Sequence, residues 1–355
     1  MKIIHTSDIH IDSPLTAKLP KDKVKERRAE LLGTLSRIGE AARECSARAV
    51  IIAGDLFDSV SVTKRAVRAL LDTVRSCPDI YFFILPGNHD AQLIATVEHE
   101  AMDNLCIFEY GKLTTYELDG VTFTGISPAM PGMFNSLNLD PEKKNIVVLH
   151  GELVAGEARE EESIGVRDAA GHGIDYIALG HYHTYSSTRI DERADAVYSG
   201  TPEGRGFDEC GECGYILVDT DTERVSHAFV PFARRTMKTV PLPLDGIESS
   251  GEILERAREV LATVPPTDLV RLELCGSYTP DLWKDVAALQ RSFENKFYYF
   301  EVKDTSHISV NPEDYRYDKT LKGEFIRMVY ADNTLDEETK RAVVECGVFA
   351  LMGED

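Results

Sequence analysis

This sequence has few positive charges, a single tryptophan and no long apolar run. Its 39 lysines and arginines stand against 60 aspartates and glutamates, for a formal net charge of −21. Because no run approaches about 18 apolar residues, no membrane-spanning helix is predicted. The acidic excess argues against a protein that coats nucleic acid, since such binding uses lysine and arginine at phosphates. The excess is uneven: residues 1–80 carry 14 basic against 11 acidic residues, and residues 81–355 carry 25 against 49.

Cysteine is also scarce and scattered, with seven residues along 355 positions. The odd number and the lack of regular spacing are typical of a protein in a reducing compartment. Met1 is followed almost at once by a polar motif, so we expect no signal peptide and a cytoplasmic location. Cys210 and Cys213 have the spacing of half a zinc knuckle, but no second pair lies near, so a hairpin loop is preferred.

Five short polar clusters each follow a short apolar run in the first half of the chain. The runs are rich in β-branched and aromatic residues, which predicts buried strands. Residues 1–235 alternate such strands with amphipathic segments, which predicts an α/β domain. Since ligands bind at the carboxyl ends of strands in α/β sheets, we expect the clusters to share one edge. They are Asp8–His10, Gly54–Asp58, Gly87–Asp90, His150–Glu152 and Gly180–His183.

These clusters supply carboxylate, amide and imidazole groups, which are the ligands of divalent metal ions. Asp55 lies in a Gly-Asp turn, where its carboxylate could bridge two ions about 3.5–4 Å apart. The mixture favours Mn²⁺, Fe²⁺ or Zn²⁺ over Ca²⁺. The absence of cysteine from the clusters argues against a structural zinc site. The predicted ligands are Asp8, His10, Asp55, Asn88, His150, His181 and His183.

Taken in order, the motifs Asp-x-His, Gly-Asp-x-x-Asp, Gly-Asn-His-Asp, His-Gly and Gly-His-x-His resemble those of the calcineurin-like metallophosphoesterases. The resemblance implies a four-layer core in which helices flank two packed β-sheets. It also implies two metal ions, with Mn²⁺ expected by comparison with the related nucleases, and with Asp55 shared between them. One ion would be held by Asp8, His10, Asp55 and His183, and the other by Asp55, Asn88, His150 and His181.

The same resemblance implies roles for three residues that are not ligands. His89 would be the acid that protonates or stabilises the leaving oxygen. Asp90 would orient His89, and Asp58 would support the Asp55 turn by hydrogen bonding.

Three further segments are similar to the SbcD/YhaO-type DNA repair exonucleases: Ile4–Pro14, Tyr198–Arg205 with Gly214–Val218, and the tail at Gly347–Leu351. This similarity implies a two-metal exo- or endonuclease that cleaves phosphodiesters at DNA ends. It implies DNA and an SbcC-like coiled-coil ATPase as partners, and it allows a homodimer. Two alternatives stay open: a phosphodiesterase for small molecules or nucleotides, and a non-catalytic regulatory subunit.

A basic segment just after the first site loop could line a DNA groove beside the metals. The candidates there are Lys21, Lys25 and Arg28, and Arg205 is a fourth candidate in the loop after Tyr198. A solvated helix start is the alternative for the segment.

We predict three parts: a core over residues 1–235, a β-α-β-α-β cap over 236–310, and an acidic helical tail over 311–355. In the related nucleases such a cap helps to select the DNA end, and the C-terminal region binds the ATPase. The cap contains Trp283, which is predicted to be buried. Within the core, Lys25–Arg48 is predicted to form one amphipathic helix.

Overall fold

The chain divides into two structural units, Met1–Thr236 and Met237–Asp355. Two β-sheets form the centre of the first unit. The computed structural model describes residues 1–13, 15, 18–58, 62–88, 90 and 102–352, with only the backbone of residues 349 and 352. No helix in these ranges is both long enough and apolar enough to cross a membrane.

The strands of the first unit belong mainly to two six-stranded sheets. In chain order they are β1 (Lys2–Thr6), β2 (Ala47–Ala53), β3 (Tyr81–Leu85), β4 (Leu105–Ile107), β5 (Thr114–Leu118), β6 (Val121–Gly125), β7 (Lys144–His150), β8 (Glu152–Val154), β9 (Ser163–Gly165), β10 (Tyr176–Gly180), β11 (Ser186–Arg189), β12 (Asp195–Tyr198), β13 (Gly214–Asp219) and β14 (Ser226–Pro231). The first sheet has the order β14-β13-β1-β2-β3-β4 and the second β11-β12-β10-β7-β6-β5. In each sheet four neighbouring strands are parallel: β1 to β4 in the first, and β6, β7, β10 and β12 in the second.

The layer between the two sheets is apolar, and the phenyl rings of Phe83 and Phe123 stack there with centroids 4.0 Å apart. Successive residues of the central strands point to opposite faces, and both faces are buried. Ile3 and Ile51 pack between the sheets, whereas Ile52 points to the outer face of the first sheet. This two-sided burial explains why the strands are continuous apolar runs in the sequence.

Helices cover the outer face of the first sheet. They are α1 (Lys21–Leu32), α2 (Thr34–Glu44) and α3 (Lys64–Ser76), of which α2 and α3 contribute most of the packing. The prediction of one helix over Lys25–Arg48 is wrong, because the chain divides at Gly33 and Arg48 lies in β2. Glycine is about 1 kcal/mol less favourable than alanine inside a helix, which makes Gly33 a natural break.

Loops and short helical turns cover the outer face of the second sheet. They include a 3₁₀ turn at Met133–Ser136 and α4 (Val166–Ala169), and Phe134 and Ile164 are buried in this layer. The connection between β6 and β7 carries three prolines, which disfavour a long helix there. The predicted arrangement of two packed sheets between outer layers is confirmed, and the fourth layer consists of these short elements.

The second unit is a three-stranded parallel sheet with helices. Its strands are β15 (Met237–Pro243), β16 (Leu269–Cys275), β17 (Ser277–Tyr278), β18 (Tyr299–Asp304) and β19 (His307–Ile308), and its helices are α5 (Ser250–Leu261), α6 (Val286–Phe293), α7 (Leu321–Ala331) and α8 (Glu337–Met352). The sheet has the order β15-β16-β18, and β17 pairs with β19. The prediction that Trp283 is buried is wrong: it lies in the loop before α6 and is 53% exposed.

Candidate metal centre

The predicted ligands lie at the carboxyl ends of five strands, three from the first sheet and two from the second. His150 closes β7, and the other six follow β1, β2, β3 and β10 within a few residues. Contacts between the strand ends bring the two sheets together here, since His150 Nδ1 lies 3.0 Å from the Ala53 carbonyl oxygen. Ligand atoms within 4.8 Å of one another form two groups: Asp8, His10 and His183, and Asp8, Asp55 and His150.

Asp55 lies between the histidines of both groups. Its Oδ2 is 3.7 Å from His10 Nε2 and 3.4 Å from His150 Nε2. The carboxylate is 4% exposed, so it has little access to solvent water. A carboxylate oxygen within 4 Å of two imidazole nitrogens is well placed to be shared by two cations.

The Asn88 amide tests whether a cation fits. Its side-chain oxygen points at Asp55 and lies 3.3 Å and 3.2 Å from the two carboxylate oxygens. Two acceptors at that distance repel each other, so the amide either turns its nitrogen to the carboxylate or shares a cation with it. A carboxylate, an amide oxygen and the imidazoles of the neighbouring strand ends are ligands that divalent ions take, so the donor set fits a divalent cation.

The backbone at the site adopts rare conformations. Asp8, His10, Asp55 and His181 have positive φ angles of 51°, 46°, 50° and 109°. Residues other than glycine rarely take such angles, and they concentrate at functional sites where the surrounding structure holds them.

Two motif glycines are required by close approach. A Cβ at Gly87 would lie 1.9 Å from Asp55 Oδ1. A Cβ at Gly54, where φ is +90°, would lie 2.1 Å from His150 Nδ1. Each glycine therefore lets a site turn approach a ligand side chain that any other residue would displace.

Asp90 connects two of the site turns. Its Oδ1 accepts the Gly87 N–H at 2.7 Å, and its Oδ2 accepts those of Leu56 at 2.9 Å and Phe57 at 3.3 Å. Burial raises the pKa of the Asp90 carboxyl to about 6. The predicted partner of Asp90, His89, lies outside the described residues.

Two of the histidines have a carboxylate oxygen close to Nδ1. The resemblance assigns Asp58 to the Asp55 turn, whereas its Oδ1 lies 3.0 Å from His10 Nδ1. Glu209 Oε1 lies 2.7 Å from His183 Nδ1. No motif in the sequence pointed to Glu209, because it lies 26 positions after His183 in a loop with no pattern of its own.

The charges of the site are strongly coupled. Burial lowers the pKa of His150, but the hydrogen bond to Asp55 and the charges of Asp8 and Asp55 outweigh it and raise the pKa to about 9. Burial would raise the pKa of Glu209, but hydrogen bonds from His183 and Arg205 hold it at about 2. Buried carboxylates need nearby positive charge, and cations can supply it in place of histidine protons.

The four predicted DNA contacts differ in exposure. Lys21, Lys25 and Arg28 are exposed on α1. Arg205 is not a surface contact: its side chain is only 11% exposed, and its Nε donates to Glu209 Oε1 at 2.9 Å. The Arg205 guanidinium already donates to Glu209 inside the site. Few of its N–H groups therefore remain for a DNA phosphate.

A cleft of about 280 Å³ opens beside the first site loop. Arg28 lines it together with Asp12, Thr63 and Arg65, none of them a metal ligand. Arg65 opens α3 and was not singled out in the sequence, because one arginine at a helix start is common there.

Residues 1–185 match the family model described as calcineurin-like phosphoesterase. The chain belongs to the calcineurin-like phosphoesterase family. Members of this family hold two divalent metal ions, and the two groups of ligand atoms at the strand ends fit that requirement. The phosphoesterase motifs thus coincide with the clusters that the strands bring together.

Curated relatives of this phosphoesterase include the uncharacterized metallophosphoesterase YhaO of Bacillus subtilis, 24% identical over 245 residues, covering 64% of this chain and 60% of YhaO. The DNA double-strand break repair protein Mre11 of Methanosarcina acetivorans is 24% identical over 293 residues, covering 78% of this chain and 46% of that protein. Mre11 of Methanopyrus kandleri is 24% identical over 251 residues, covering 62% of this chain and 54% of that protein. The chain spans roughly half to three fifths of the length of these relatives.

Proposed function

We propose that this chain is a two-metal DNA exo- or endonuclease that hydrolyses phosphodiesters at DNA ends during repair. The observation that carries the proposal is the extent of similarity to Mre11 of Methanosarcina acetivorans. It covers 78% of the 355 residues, about 277, whereas the phosphoesterase unit has 236. The similarity therefore extends into the second unit, which a phosphoesterase site alone does not require.

The chain's own groups would bind and orient the scissile phosphate and manage the proton of the leaving oxygen. Two divalent ions, when bound, activate water and neutralise phosphoryl charge. We expect both ions to be Mn²⁺. Asp55 would be shared between the ions, and Asn88 would supply the neutral oxygen that Asp55 faces. His89 would donate a hydrogen bond or proton to the leaving oxygen. The three backbone N–H groups that donate to the Asp90 carboxylate would hold the neighbouring residue in place.

Exposed arginines support a path for the DNA backbone. Arg28 and Arg65 are both exposed at this cleft, and no ion pair among the described residues includes either of them, although the protein is strongly acidic. With Lys21 and Lys25 they would guide phosphates along the cleft towards the metals. The C-terminal part of the chain would bind an SbcC-like coiled-coil ATPase, and a homodimer would present two metal centres.

The proposal predicts Mn²⁺-dependent cleavage of linear DNA. The metal-loaded protein is incubated with linear, closed circular and hairpin-ended DNA, and separately with bis-p-nitrophenyl phosphate. His89→Asn should keep both metal ions but lose DNA turnover by roughly 10²–10⁴-fold, the usual contribution of general acid catalysis.

The matched outcomes separate the alternatives. Hydrolysis of the small diester without any DNA cleavage would favour a small-molecule or nucleotide phosphodiesterase. If both substrates stay intact although two metal ions are bound, a non-catalytic regulatory subunit is the better account. Loss of metal from His89→Asn would make His89 a ligand.

A further inference from the structure

The histidines of the two predicted metal positions have different kinds of acceptor next to Nδ1. Both histidines of the first position have a carboxylate at Nδ1: Asp58 behind His10 at 3.0 Å, and Glu209 behind His183 at 2.7 Å. At the second position, the Nδ1 of His150 faces the neutral Ala53 carbonyl oxygen at 3.0 Å.

The other histidine of the second position has no such support either. Among the described residues, no carboxylate lies within 4.0 Å of the ring nitrogens of His181, whose backbone N–H instead donates to Asp8 at 3.1 Å and 3.0 Å. The contrast therefore covers both histidines on each side.

Arg205 joins the two carboxylates of the first position. Its NH1 lies 3.5 Å from Asp58 Oδ1, and its Nε and NH2 both donate to Glu209 Oε1. The Arg205 backbone N–H donates to Glu209 Oε2 at 2.7 Å, so both oxygens of the carboxylate accept hydrogen bonds from Arg205. Ser13 Oγ accepts from NH1 at 3.3 Å, which anchors the guanidinium to the first site loop.

This arrangement fixes the proton of His183. The Glu209 carboxylate lies 2.7 Å from His183 Nδ1 and can only accept, so Nδ1 carries a proton and donates it to Glu209; Arg205 Nη2, a donor 3.2 Å away, cannot take that proton. In the neutral ring, Nε2 is then the nitrogen without a proton, and it faces Asp8, with Oδ1 at 3.8 Å. The imidazole is thus set in the tautomer that a metal ion requires.

A carboxylate at the distal nitrogen makes an imidazole a stronger ligand than a neutral carbonyl does. Such supporting carboxylates typically change metal affinity by about 10–100-fold. They also add negative charge near the cation, which Arg205 only partly offsets, since two carboxylates face one guanidinium.

We propose that the position formed by Asp8, His10 and His183 is the tighter of the two metal sites and fills first, and that Glu209 is the positioning residue responsible. The second position, supported by a backbone carbonyl, exchanges its ion more readily. The inference deepens the proposed function and rests on its two-metal centre, not on DNA as the substrate.

The first test uses the unmodified protein. Metal-free crystals are soaked with about one equivalent of Mn²⁺, and anomalous scattering locates the ion. We expect the peak between Asp8, His10 and His183. A dominant peak near Asn88 and His150, or equal peaks at both positions, would overturn the proposal without any reference to catalysis.

The second test measures binding in solution. The metal-free protein is titrated with Mn²⁺, and free ion is followed by electron paramagnetic resonance. Glu209→Gln, which keeps a hydrogen-bond acceptor but removes the charge, should weaken the tighter Kd by roughly 10–100-fold and change the weaker one much less. Glu212→Gln is the matched control, because Glu212 is exposed in the same loop.

The outcomes of the titration are distinct. Equal weakening of both constants by Glu209→Gln would make Glu209 a general structural residue, and no change in either would also overturn its role. Glu209→Asp, which restores the charge, should recover part of the tight binding. Absence of DNA cleavage would contradict the proposed function while leaving this order of filling untouched.

Discussion

His5 is buried between the two sheets, three positions before the first metal ligand. It is 0% exposed, and its Nδ1 lies 2.9 Å from the Tyr176 hydroxyl. Burial lowers its pKa from 6.5 to about 3. The residue is therefore neutral in the folded protein at any pH where the metal centre would operate, and its role is to support the strand that leads to Asp8.

We expect His5 to make the protein sensitive to acid. The unfolded chain takes up a proton near pH 6.5, but the folded protein resists it down to about pH 3. The stability that His5 provides is thus complete above pH 6.5 and is lost as the pH falls towards 3, by up to about 1.4 kcal/mol per pH unit. His5→Asn, which keeps a side-chain group near the Tyr176 hydroxyl, should reduce the slope of unfolding free energy against pH.

The measurement is denaturant unfolding of the metal-free protein at several pH values between 6.5 and 4. The carboxylates contribute equally to the pH dependence of stability in both proteins, so their contribution cancels when the two slopes are compared. Parallel slopes would show that His5 is protonated in the folded state within this range.

At the scale of elements, the start of α3 borders the first site loop. The Thr63 side chain caps the helix by accepting from the Ala66 N–H, and Asp12 Oδ2 accepts from the Thr63 N–H at 3.3 Å. Arg65 is thereby held at the cleft, whereas Arg75 lies at the opposite end of the same helix. Ten residues of helix separate the two by about 15 Å.

This geometry predicts a difference between two charge reversals on one helix. Arg65→Glu should weaken DNA binding and reduce the slope of log affinity against log salt concentration by about 1, the value of one phosphate contact. Arg75→Glu should change neither the affinity nor the slope. Both variants should still hydrolyse bis-p-nitrophenyl phosphate, which needs no DNA path. Binding is measured by fluorescence anisotropy over a range of salt concentrations.

Equal effects of the two reversals would mean that only net charge matters, and the DNA path would lie elsewhere. Loss of small-diester hydrolysis in Arg65→Glu alone would indicate damage to the neighbouring site loop instead.

On the scale of the whole molecule, the C-terminal helices are part of the second unit's core. Ile326 and Val329 of α7 and Val344 and Val348 of α8 are buried in the same cluster as Leu272 of the sheet. The acidic tail therefore contributes stability to this unit, and any partner would meet its remaining exposed face.

We expect Ile326→Ala to destabilise the second unit by roughly 2–5 kcal/mol, the usual cost of such a truncation in a core. Met328→Ala on the same helix is the control, because Met328 is 68% exposed and should change stability by less than about 0.5 kcal/mol. The single tryptophan, Trp283, lies in this unit, so its fluorescence during denaturant unfolding of the full chain reports the transition. Similar effects of the two substitutions would contradict the assigned packing.

Much of the fold and of the candidate metal centre was predictable because the signals are local. A buried parallel strand is a short apolar run, and the residues that follow it are at the sheet edge by chain connectivity alone. Asp8, Asp55 and His150 could therefore be assigned to a common edge before their distances were known. The break at Gly33 was missed because the apolar periodicity continues across it.

The sequence by itself determined the sheets, their shared edge and the types of side chain at the candidate metal centre, since each depends on residues close together in the chain. Tertiary structure decided what lies behind the ligands. Glu209 reaches His183 across 26 positions, and Arg205 reaches Asp58 across 147, and no periodicity encodes such distances. The exposure of Trp283 was decided in the same way, because the core of the second unit is filled by residues up to Val348. Many carboxylates and arginines in the sequence are chemically equivalent as partners. Long-range packing determines which of them contact the ligand side chains, and only the folded chain shows this.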